Sequence, residues 1–61
     1  MLKVYYNTFH NLAVIIDEKA RTITTKKYSE VNLKGCAFYS SKAQRLKEVF
    51  RIYRNSGFAR A

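Results

Sequence analysis

Apolar side chains follow two different periods along this chain. Up to about residue 28 they alternate or form short blocks, and from residue 43 to residue 53 they recur every three or four positions. The first pattern predicts strands. Leu2-Lys3-Val4-Tyr5-Tyr6-Asn7-Thr8 is rich in β-branched and aromatic residues. Alternation along a strand puts Leu2, Val4 and Tyr6 on one face and Lys3, Tyr5 and Asn7 on the other. A one-residue slip of register would exchange Tyr5 for Tyr6. Thr8 to Asn11 reads as a turn. Leu12-Ala13-Val14-Ile15-Ile16 is a short unbroken apolar run, which favours a buried central strand. Asp17-Glu18-Lys19-Ala20 predicts a turn whose first residue bonds the backbone through its carboxylate. Residues 21–28 read as the return strand, with lysines suited to a sheet edge. Ser29 to Gly35 is a connection, and residues 36–39 form a fourth short strand or an extended lead into a helix.

The second pattern predicts that helix from about residue 41 to about residue 55. Ser41 and Gln44 have the spacing of a capping box. Ala43, Leu46, Val49, Phe50 and Tyr53 form one apolar stripe about 120° wide. Gly57 stands where a helix end accepts a left-handed residue. That position brings Tyr53 and Phe58 together in the hydrophobic contact of a Schellman motif.

These elements predict a single α+β domain over residues 1–61. Its expected form is a small three- to four-stranded antiparallel sheet with one C-terminal amphipathic helix packed on one face, β-β-β-(β)-α. The expected core is Leu2, Val4, Tyr6, Leu12, Val14, Ile16, Ile23, Phe38, Leu46, Val49, Phe50 and Tyr53. The order from Val14 to Ala43, through Ile23-Thr24-Thr25, Gly35, Phe38 and Ser41-Lys42-Ala43, resembles the sheet-plus-helix DNA-binding modules of some phage-type integrases. The resemblance implies a fold and a class of partner, with no integrase activity.

Composition narrows the classes of function. Sixty-one residues bury too little surface to enclose a deep active site beside a core. One Cys and one His cannot complete a zinc site, and no G-x-S-x-G, phosphate-loop or H-E-x-x-H motif occurs. His10 is read as a turn residue, Ser41 as a cap and Cys36 as a small hydrophobe. A non-enzymatic protein without cofactor or metal is expected. The lone cysteine also points to a reducing, cytoplasmic setting. The longest apolar run is far short of a membrane span, and no membrane partner is expected.

Charge changes the picture most. The net charge is +8, of which +6 lies in residues 32–61. Such an excess suits nucleic acid, DNA or RNA, or else an acidic protein surface. Two surfaces are candidates. On the helix, Lys47, Arg51 and Arg54 at i, i+4 and i+7 form a ribbon beside the apolar stripe, with Lys42 at the helix start and Arg45 on the other flank. On the sheet face away from the helix, Lys3, Tyr5, Lys26 and Tyr28 would offer cations for phosphates and rings for bases, and Lys27 beside them in the return strand is a further candidate contact. Tyr5 and Tyr28 serve equally as a cross-strand pair. The alternative to nucleic acid binding is a protein-interaction module, an adaptor or inhibitor. The chain would act as a monomer or a homodimer.

Overall fold

The computed structural model describes residues 2–32 and 34–61. The strands are β1 (Leu2–Asn7), β2 (Leu12–Asp17), β3 (Thr22–Lys26), β4 (Ala37–Ser40) and β5 (Ala59–Arg60), and the helix α1 spans Ala43–Asn55. A single 3-10 turn, Tyr28–Glu30, lies between β3 and β4.

The two hairpins use one design. In each, an Asx side chain holds a four-residue loop. Asn7 Oδ1 accepts the His10 N–H at 2.8 Å, and Asp17 Oδ1 accepts the Lys19 and Ala20 N–H groups at 3.1 and 3.0 Å. The last loop residue is left-handed in both, Asn11 at φ 52° and Arg21 at φ 58°. Asn tolerates that conformation well and Arg does so poorly. Arg21 is anchored from its other end. Its Nη2 donates to the Ser56 carbonyl at 2.9 Å, and its guanidinium lies 5.0 Å from the Phe58 ring centre.

The sheet has five strands in the order β4-β1-β2-β3-β5, and it is mixed where an antiparallel sheet was expected. β4 runs parallel to β1 and β5 runs parallel to β3. Nor is the helix the last element, because β5 follows it and covers the start of β3. The physical reason lies in the two long connections. β3, β4 and β5 all point the same way, so the chain must cross the sheet from β3 to β4 and back from β4 to β5. Right-handed crossovers in opposite directions run over opposite faces. The helix takes one face. The start of the β3–β4 connection takes the other, where Tyr28 stacks on Tyr6 with ring centres 4.7 Å apart.

The helix-side core joins Val14, Ile16, Ile23, Leu46, Val49 and Phe58, with Tyr5, Phe50 and Tyr53 packed against it. Tyr5 pairs with Val14 and Lys3 with Ile16. The β1 register is therefore the slipped alternative: Lys3, Tyr5 and Asn7 face the helix, and Leu2, Val4 and Tyr6 face away. The faces of β2 and β3 agree with the pattern. Val4 and Ala13 are nevertheless buried, at 0% and 1% exposure. They lie outside the helix-side cluster, on the face that the returning connection crosses. Leu12 and Phe38, expected in the core, are 44% and 45% exposed. Leu12 stands at a strand end and Phe38 on an edge strand, so each lacks a neighbour on one side.

The helix begins two residues later than predicted, and no capping box forms. Lys42 occupies the N-cap without a side-chain bond. Ser41 is drawn into the sheet instead. Its N–H donates to the Tyr6 carbonyl at 2.8 Å, its hydroxyl donates to the Tyr39 carbonyl at 3.3 Å, and its own carbonyl accepts from Asn7 Nδ2 at 2.9 Å. The other helix end agrees with the reading. Gly57 has φ 96°, Phe58 N–H donates to the Tyr53 carbonyl and Gly57 N–H to the Arg54 carbonyl, at 3.0 and 3.2 Å. These are the two bonds of a Schellman motif. The Tyr53 and Phe58 rings meet edge to face at 4.9 Å.

Candidate nucleic-acid interface

The ten residues that the sequence nominated divide into three groups. Lys47, Arg51 and Arg54 lie together on one flank of α1, all exposed. Among the described residues none of the three is in an ion pair, and the described pairs are Lys3–Glu18 and Arg45–Glu48. Helical spacing is sufficient to place them: the apolar stripe fixes which side faces the sheet, and i, i+4 and i+7 then share one flank.

A second group is occupied elsewhere. Arg45 is on the opposite flank, 3.3 Å from the Glu48 carboxylate. Lys3 belongs to the helix-side face, and its ammonium is 3.4 Å from Glu18. Its pKa is raised above the ordinary lysine value, first by the charge of Tyr53 and then by the hydrogen bond and charge of Glu18. Tyr5 stacks on Tyr39 with ring centres 4.9 Å apart and packs on the core. Tyr28 stacks on Tyr6, which also meets Phe38 edge to face at 6.3 Å. The Tyr5–Tyr28 pair does not form, because the β1 register puts those two rings on opposite faces. The basic and aromatic sheet face therefore dissolves. The far face of β1 carries Leu2, Val4 and Tyr6, and its tyrosine is taken up by the connection folded over it.

The third group is exposed but dispersed. Lys42 stands at the helix N-cap and Lys26 at the end of β3 on the far face. Lys27 follows in extended backbone, at φ −69° and ψ 136°. By alternation it falls on the same side as Thr25.

Thr25 leads to a feature that the sequence did not disclose. A groove of about 320 Å³ opens between the first half of α1 and the β2–β3 part of the sheet. It is lined by Leu12, Val14, Thr25, Ala43, Leu46 and Phe50 and flanked by Lys47 and Arg60. Lys47 thus belongs to both the ribbon and the groove. Arg60 comes from β5, and its guanidinium lies 5.7 Å from the Phe50 ring centre. The alternation of Phe58 inward and Ala59 outward after Gly57 was the available signal for Arg60, a pattern too short to be distinctive. No acidic residue lines the groove.

Nothing in this arrangement resembles a metal centre: among the described residues no group of three or more His, Cys, Asp or Glu side chains could hold an ion. His10 Nδ1 lies 3.1 Å from Asn7 Oδ1 in the first hairpin loop, alongside the exposed Phe9 ring. No described helix is long and apolar enough to cross a membrane. Comparison of the chain with protein-family models, curated proteins and solved structures returns no match.

Proposed function

We propose that this chain is a small basic nucleic-acid-binding protein that contacts phosphates through the flank of α1. The observation that supports this is the set of three neighbouring exposed cations, Lys47, Arg51 and Arg54, with no acidic partner among them. Arg60 extends the same positive region across the groove. Binding of this kind is dominated by counterion release and weakens steeply with salt. The rings play a smaller part than the sequence suggested, since Tyr5, Tyr6, Tyr28 and Tyr39 are stacked on one another.

Titration on duplex DNA, single-stranded DNA and RNA at two salt concentrations tests the proposal. Salt-sensitive binding to at least one of them is the expected result. Absence of binding to all three at low salt removes it. The second reading, a module docking on an acidic protein surface, would then stand. It draws on Phe9, which is 89% exposed at the tip of the first hairpin, since a large exposed aromatic is common in protein interfaces.

A further inference from the structure

Resting on the phosphate-binding proposal, we infer that the α1 flank takes unpaired nucleotides, with phosphates on Lys47, Arg51 and Arg54 and one base inserted in the neighbouring groove. A surface that recognised only a duplex backbone needs cations and hydrogen-bond donors. It gains nothing from a wide apolar recess beside them, because the faces of paired bases are stacked inside the helix. Single strands present both chemistries at once, a charged backbone and free π-faces.

The groove meets both requirements. Its apolar lining includes buried Val14 and Leu46, half-buried Ala43 and Phe50, and exposed Leu12. Its volume of about 320 Å³ is at the small end of ligand pockets and accommodates a planar ring system. The half-buried Phe50 ring carries the Arg60 guanidinium over it, 5.7 Å from its centre, and the guanidinium plane is the surface on which an entering base would stack, backed by Phe50. Lys47 joins the groove to the ribbon, so a backbone held by the three cations passes the opening. The lining carries two cations and no carboxylate, so nothing there repels a phosphate. Thr25 adds a hydroxyl able to bond a base edge.

The test is a fluorescence titration of the full chain with oligothymidylate, oligouridylate and a mixed-sequence duplex of equal length, each at two salt concentrations. Single strands should bind about tenfold tighter than the duplex, within the range expected from stacking one base. Phe50→Leu, which keeps an apolar side chain against the core, should lower single-strand affinity about tenfold and leave duplex affinity unchanged. Leu12→Gln should act in the same direction; Leu12 is 44% exposed at a strand end, and circular dichroism of the variant checks that it is folded. A preference between the two single strands supports the inference equally and separates DNA from RNA. Duplex binding as tight as single-strand binding overturns it while leaving the phosphate proposal intact. So does a Leu12→Gln chain that binds both probes as the parent does. Absence of binding by the parent chain to all three probes at low salt overturns both.

Discussion

The far face of the sheet and the outer flank of α1 were equal candidates for a binding surface, and the fold treats them in opposite ways. On the far face the rings are consumed by the structure: Tyr6 is stacked on Tyr28 and touches Phe38, while Val4 and Ala13 beneath are closed off from water. On the helix flank Lys47, Arg51 and Arg54 remain exposed. A short chain has too little apolar surface to leave a whole sheet face open, so its connection becomes a second cover. What is left for binding is the side that folding does not use.

If both faces of the sheet are core, truncation on either should destabilise the chain. Ile23→Ala, on the helix side, should cost about 2–5 kcal/mol. Against the roughly 3–5 kcal/mol that so small a core supplies, the variant should be largely unfolded in the absence of denaturant. Val4→Ala, on the far side, should cost about 2 kcal/mol by urea denaturation. A Val4→Ala chain as stable as the parent would mean that the far face is open after all.

The ring contacts should give a smaller effect. A double-mutant cycle with Tyr6→Leu and Tyr28→Leu should show a coupling of about 0.5–1.5 kcal/mol in stability. Neither change should move nucleic-acid affinity. Affinity lost with Tyr6 would return the sheet face to candidacy. The smallest effect belongs to Lys3. Its folded pKa is raised, first by Tyr53 and then by Glu18, so the charged Lys3 contributes stability below the ordinary lysine value of 10.5 and loses it as pH rises through the folded value. Melting curves of the parent and Lys3→Met should differ slightly near neutrality and converge in strong alkali.

The helix was legible because three signals agree on it: a stripe of one period, a glycine stop and the Tyr53–Phe58 clasp. The cation ribbon inherits that legibility, since helical phase alone assigns its flank. The hairpin loops were legible too, through the short-range chemistry of Asp17. The β1 strand was not, because Tyr5 and Tyr6 are adjacent and chemically identical, so local pattern gives no reason to prefer one inward. Ser41 shows the same limit: a cap on spacing alone, it is claimed by long-range bonds to Tyr6 and Asn7. The groove was invisible for a related reason. Its residues come from β2, β3, α1 and β5, and only the crossover topology assembles them.

The most direct test is the salt dependence of nucleic-acid binding for Lys47→Ala/Arg51→Ala/Arg54→Ala. Each position is exposed, so stability should change by no more than about 0.5 kcal/mol per site. If the three cations contact phosphates, the slope of log affinity against log salt should flatten by about 2 on a single strand and about 3 on a duplex. An unchanged slope in a folded triple variant would contradict the proposal that this flank holds the phosphates.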